Sequence, residues 1–178
     1  MIYKILGSIA LILAVMLVGA WHFHTTVSVE RTFNAPEADV WRVWTDADSI
    51  QKWWGPKGYT ALVVRNDLRE RGSYLWAMKS ARGKVFWNTG IYREVVPNKK
   101  IVSTMSFADE NGNAIPGAQV PVPGHWPAEI TVVVEFSESA GKTRVTVREV
   151  GIPLIVYPFS KIGWAQQFDK VQMLLRRK

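Results

Sequence analysis

Few residues of this chain are equipped for chemistry. Cysteine is absent and there are three histidines, which excludes thiol nucleophiles, Cys-ligated zinc, iron–sulfur clusters, disulfides and a lipid-acylated cysteine anchor. A Ser–His–acid set would have to use His125, and no Gly-x-Ser-x-Gly elbow is present. His22-Phe-His24 pairs two imidazoles without a nearby carboxylate, which does not make a selective metal site. It reads as interfacial aromatics. His125 closes a long loop with Trp126 and Pro127, where an imidazole can exchange a proton, orient a ligand or simply be solvated. Glu149 is the carboxylate with a distinctive placement. Val145 and Val147 alternate with Arg144, Thr146 and Arg148, and that phase puts Glu149 on the apolar face of its strand. A carboxyl facing an apolar space has a raised pKa and can serve as a general acid or as an anchoring donor. A strand that ends or bulges there would expose it instead. No catalytic residue, metal set or cofactor is assigned, and an enzyme is not the leading expectation.

Nine tryptophans in 178 residues say more. Tyr74, Trp76 and Met78 share one face of a strand. Val85, Trp87, Thr89 and Ile91 share a face of the next, and phase alone does not say which group faces inward. Met105 lies on a further strand. Trp164 and Phe168 come from a late helix, while Trp54 and Trp126 are expected at a rim. With Glu149, these are the candidates to line an apolar small-molecule cavity. Plain core packing is the competing reading for each of them.

The elements that must position them follow from periodicity and turn residues. The run Ile5–Trp21 is uncharged and apolar, and as a helix it covers roughly 26 Å at about 1.5 Å per residue. Lys4 precedes it and the next Lys or Arg is Arg31, so the positive-inside rule leaves the following domain outside the cytoplasm, at the inner or plasma membrane. Val18-Gly19-Ala20 also has the spacing of a signal-peptidase site. Residues 1–24 are therefore read as a membrane anchor or signal peptide, and 25–178 as one domain.

Within that domain the spacing predicts a strand over Thr26–Phe33, with Arg31 in phase with Val27 and Val29. A helix follows with Asn34 as its cap, Pro36 in the first turn and Glu37 completing a capping box. A second short helix covers Asp46–Trp54 and stops at Gly55-Pro56. Six strands come next, near Tyr59–Asn66, Ser73–Lys79, Val85–Val95, Ile101–Phe107, Ile130–Phe136 and Thr143–Val150, joined mostly by short turns that favour antiparallel pairing. A loop occupies residues 108–127. The last helix, near Pro158–Leu175, carries the stripe Trp164, Phe168, Val171, Leu175, with Arg176 and Arg177 at the end favoured by its dipole.

Several segments, in this order, resemble a known family. They are Phe33-Asn-Ala-Pro-Glu37, Val40-Trp-Arg-Val-Trp-Thr-Asp46, Trp53-Trp-Gly-Pro56, Gly90-Ile-Tyr-Arg-Glu-Val-Val-Pro97, Thr143-Arg-Val-Thr-Val147 and Gly163-Trp164. The chain is similar to START-like helix-grip proteins, in the branch named for the activator of the heat-shock-protein-ninety ATPase. The resemblance implies an α+β fold in which a curved antiparallel sheet wraps a long C-terminal helix, here preceded by one transmembrane helix. It also implies a cavity for an apolar or amphipathic small molecule and no shared catalytic set. A carrier or binder is the first function class; a cyclase-like or hydrolytic enzyme and a co-chaperone-like interaction module are the others. The anchor departs from the usual member and weakens the co-chaperone role, because that chaperone is cytoplasmic.

Composition fits these readings. An apolar share of 48% with 21% charged residues describes a globular domain rather than a disordered chain. The net charge of +7 is partly the terminal Arg176-Arg177-Lys178, and no basic stripe interleaved with aromatics points to nucleic acid.

Overall fold

The computed structural model describes residues 2–176, with side chains from Ser8 onward. The expectations for the Lys4 side chain, Arg177 and Lys178 lie outside what is described. Helix α1 (Ile2–His22) leads directly into strand β1 (His24–Phe33), followed by helices α2 (Glu37–Thr45) and α3 (Ala47–Trp53). Strands β2 (Tyr59–Asn66), β3 (Ser73–Ser80), β4 (Val85–Val96), β5 (Lys100–Ala108), β6 (Ile130–Ser139) and β7 (Lys142–Pro153) follow. A short 3-10 turn, Leu154–Val156, then leads into helix α4 (Tyr157–Leu175).

The strands form one antiparallel sheet in the order β1-β7-β6-β5-β4-β3-β2. Consecutive strands from β2 to β7 are neighbours, as short connections require. The first strand closes the far edge by pairing with the last. Register shifts at Thr25/Thr26, Ala61/Val63 and Tyr92/Glu94 bend the sheet, because an extra residue on one strand increases local twist and curvature. Helix α4 lies against the hollow this creates. Its stripe of Trp164, Phe168 and Val171 is buried together with Phe33, Val40, Trp44, Val145 and Val147. Leu175 packs at the margin of the same cluster.

Helix α2 starts differently from the expected capping box. Pro36 holds the cap position without a side-chain hydrogen bond, and Asn34 does not cap. The backbone N–H of Glu37 donates instead to Glu138 of β6 at 2.8 Å, and the Glu37 carboxylate is gripped by Lys99 Nζ at 2.7 Å. The Glu37 N–H is thus satisfied by a strand distant in sequence rather than by a neighbouring cap, which sequence spacing does not reveal. Helix α3 is capped locally: Asp46 accepts from the Ser49 N–H at 2.9 Å.

The apolar run is helical, as expected. Among the described residues, however, no helix is long and apolar enough to cross a membrane. The span expected over residues 5–21 begins before the described side chains. From Ile9 to Val18 the large apolar side chains of α1 are exposed. At its end, the His125 N–H donates to the Trp21 carbonyl and the Leu154 N–H to the Phe23 carbonyl, both at 2.8 Å. The helix therefore leaves the domain beside the long loop and the start of α4.

Candidate functional site

The bent sheet and α4 enclose a cavity of about 530 Å3, within the range of small-molecule pockets. Strand register explains which side chains reach it. Met78 pairs with Phe86, Trp76 with Asn88, and Asn88 with Phe107, so these residues lie on one face of the sheet. Tyr74, Trp76, Met78, Phe86, Asn88, Ser103, Met105 and Phe107 form the floor. Glu149 enters from β7, Ser160, Trp164 and Gln167 from α4, and Trp54 from the turn after α3. Pro121, Val122, Pro123 and Trp126 close one side from the long loop.

Two expected cavity residues lie elsewhere. Trp87 pairs with Ala77 and Ala108, in the opposite phase to Phe86 and Asn88. Its group is on the outer face, where Val85 and Ile91 are also exposed. Phe168 is fully buried and packs edge-on against Phe33 at 5.9 Å. One step along the helical stripe turns it from the cavity into the core. Trp54, Tyr74, Trp76, Met105, Trp126, Glu149 and Trp164 do line the space. Phe86, Asn88, Ser160 and Gln167 were missed. The first two could have been found from the opposite phase of β4. Gln167, three residues after Trp164, sits on the buried stripe of α4.

The polar groups of the cavity are largely committed. The Tyr74 hydroxyl donates to the Thr104 carbonyl at 2.7 Å, Tyr92 donates to Asn66, and Asn88 Nδ2 meets Met105 Sδ at 3.3 Å. Burial pushes the Tyr74 and Tyr92 hydroxyls well above the usual phenol range. Two indole nitrogens, Trp54 Nε1 and Trp76 Nε1, are buried without a hydrogen-bond partner. Their rings meet edge to face with centroids 4.8 Å apart, a geometry that places ring hydrogens against a π-face.

Helix α4 also locks the rim. Gly55 takes a positive φ of 92° in the Trp-Trp-Gly-Pro turn, where a side chain would be strained. Its N–H donates to Gln167 Oε1 at 3.0 Å, and its carbonyl accepts from Lys170 Nζ at 2.7 Å. Partial burial holds the Lys170 ammonium below the usual lysine range. These bonds fix the turn that carries Trp54 against the cavity. On the other flank, Arg31 pairs with Asp169 of α4 at 2.9 Å, an exposed pair of small energetic weight.

Glu149 is the polar focus. It accepts from the Ser160 hydroxyl at 2.6 Å, and the Trp164 indole lies nearby. Burial raises its pKa, outweighing both donors. A raised acid is fully favourable to folding below its unfolded value, near 4.5. That contribution is lost as pH rises through the higher native value. The unfolding midpoint of the wild type should therefore fall relative to that of Glu149→Gln as pH rises above about 4.5. Denaturant titrations of both proteins across that range check it; a constant difference would mean that Glu149 titrates as if exposed.

The three histidines meet outside the cavity. His22 stacks on His125 with centroids 5.8 Å apart, and His24 Nε2 contacts the His125 carbonyl at 2.7 Å. Among the described residues no group of His, Asp and Glu is placed to hold a metal ion. His125 does not converge with Glu149 on a common reaction centre; it belongs to the junction between α1 and the domain.

The family described as Activator of Hsp90 ATPase homolog 1-like protein matches residues 34–176. Solved structures share the fold. A protein from Chromobacterium violaceum aligns at TM-score 0.72 and 23% identity, over 86% of this chain and 98% of its own. One from Nitrosomonas europaea gives TM-score 0.67 and 24% identity, over 85% and 94% of the two chains. The AHSA1 protein from Silicibacter pomeroyi gives 0.70 and 18%, over 85% and 98%. No curated protein matches the chain significantly.

Proposed function

The chain belongs to the Activator of Hsp90 ATPase homolog 1-like family, and from that premise we propose that it binds an apolar or amphipathic small molecule between its sheet and helix α4, tethered to a membrane by α1. The observation that carries this reading is the cavity of about 530 Å3 with its aromatic walls. Ordinary cores pack to crystal density and leave few voids larger than a water molecule. Apolar walls with a few placed polar groups favour a ligand of mixed character, its body against Trp76, Met105 and Phe107. Glu149, whose pKa burial raises, offers such a ligand a carboxyl group as a hydrogen-bond partner. One acid without a converging base favours holding a ligand over transforming it.

The tether rests on the chemistry of α1. Its apolar side chains from Ile9 to Val18 are exposed rather than packed on the domain, and a helix apolar on every side suits lipid. With Lys4 ahead of the run, the positive-inside rule favours a domain on the extracytoplasmic side.

Native mass spectrometry of the full chain released in detergent should show an additional bound mass. Titrating a fatty acid, a hydrophobic dye or a planar aromatic should shift the tryptophan fluorescence, and Trp76→Ala should weaken that shift while the domain stays folded. If a broad panel leaves the emission untouched and no mass is carried, the binding reading fails and an interaction module of the co-chaperone type takes its place. A reporter fused after Lys178 should be active only in the exported compartment.

A further inference from the structure

The cavity mouth and the end of α1 occupy the same end of the domain. Trp21, near the close of α1, accepts a hydrogen bond from His125, and the adjacent Trp126 lines the cavity. Phe23 accepts from Leu154, at the start of the turn that leads through Val156 into α4. Val156 and Phe159 line the cavity too. Yet Phe159 is 66% exposed, with Ile162 at 57% and Phe23 at 68%. Large apolar side chains are thus left in the open around the mouth, at the place where the tether attaches. Lys161 stands among them, its ammonium 5.5 Å from the Tyr157 ring centre.

We infer that this rim, formed by Phe159, Ile162, Leu154 and Phe23, rests on the surface of a phospholipid bilayer, so that the cavity opens toward lipid rather than toward bulk water. The inference rests on the anchor reading of α1. Three arguments favour a bilayer over another protein. The rim continues directly from the tether, so one residue separates the end of α1 from β1. Exposed Phe and Ile enter the acyl boundary favourably, while Trp21 and Tyr157 have the amphipathic rings that settle at headgroup depth. Lys161 adds a cation to the same face, which anionic headgroups attract. The opposite end of the sheet is different. β1 and β7 run from the His24–Pro153 pair to the Phe33–Thr143 pair, about 30 Å at about 3.3 Å per residue, and Lys142, the first residue of β7, stands at that far end. Ligands of this cavity are accordingly amphiphiles dissolved in the membrane.

The absence of cysteine allows single labels. Full-length protein carrying bimane at Phe159→Cys, Ile162→Cys, Lys142→Cys or Val15→Cys is reconstituted into vesicles of phosphatidylcholine and phosphatidylglycerol doped with doxyl-labelled phosphatidylcholine. Labels at 159 and 162 should be quenched several-fold more than the label at 142. Quenching at 15 with equal, low quenching at 159, 162 and 142 would overturn the inference and leave the anchor standing. Absence of quenching at 15 as well would overturn both.

Discussion

Trp164→Ala should destabilise the domain by about 3–5 kcal/mol, the range of large aromatic truncations in cores. The indole is 6% exposed and lies parallel to Trp44 with centroids 6.1 Å apart and an interplanar angle of 6°. It also meets Trp54 at 6.4 Å and Phe168 at 6.1 Å. Removing it therefore unseats α4 from α2, from the Trp-Trp-Gly-Pro turn and from its own next helical turn together. The void would merge with the existing cavity instead of collapsing, which keeps the cost near the upper part of that range. The truncation also takes away one donor near Glu149. Denaturant unfolding measures the loss, with Phe159→Ala as an exposed control expected within about 0.5 kcal/mol of wild type. A midpoint unchanged by Trp164→Ala would show that α4 does not hold the domain together through this face.

The alternation of apolar residues locates each strand because one face of an antiparallel sheet is buried and the other is not. Val85–Val96 and Tyr59–Asn66 thus appear where turn residues and period-two patterns place them. The same pattern is silent on which face is hollow. β4 carries aromatics in both phases, Phe86 and Trp87, and only its register against β3 and β5 tells them apart. Trp87 was misplaced for that reason. Phe168 was misplaced for another: along a helical stripe, adjacent positions differ by an angle too small for sequence to separate cavity from core. Glu149 was legible, since its phase with Val145 and Val147 holds until the register shift after Val150. Its partner Ser160 was not, because the contact depends on how α4 crosses the sheet. The histidine cluster was hidden likewise, as His125 is 101 residues from His24 in sequence.

Gly90→Ala should cost about 3 kcal/mol, combining overpacking with the loss of a buried hydrogen bond. Gly90 sits in mid β4, directly opposite Tyr74. A Cβ added there would lie 1.9 Å from the Thr104 carbonyl oxygen and 2.7 Å from the Tyr74 ring and hydroxyl. Neither neighbour can yield cheaply. The carbonyl is backbone of β5, and it accepts the Tyr74 hydroxyl at 2.7 Å. The Thr104 side chain in turn accepts from the Ile91 N–H at 3.1 Å. The methyl must therefore spread β4 from β5 or lever Tyr74 out of the cavity floor, where it supports Trp76 at 4.8 Å between ring centres. Both movements break the Tyr74–Thr104 bond and disturb the wall that a ligand would touch. The same chemical change at Gly163 supplies the contrast. There a Cβ meets only Pro56 Cβ at 3.9 Å, and replacing a helical glycine with alanine gains up to about 1 kcal/mol. Unfolding midpoints of the two variants should consequently move in opposite directions from wild type. Equal midpoints would mean that β4 and β5 have enough slack to admit a methyl, and that Tyr74 is not held in place by the empty position across from it.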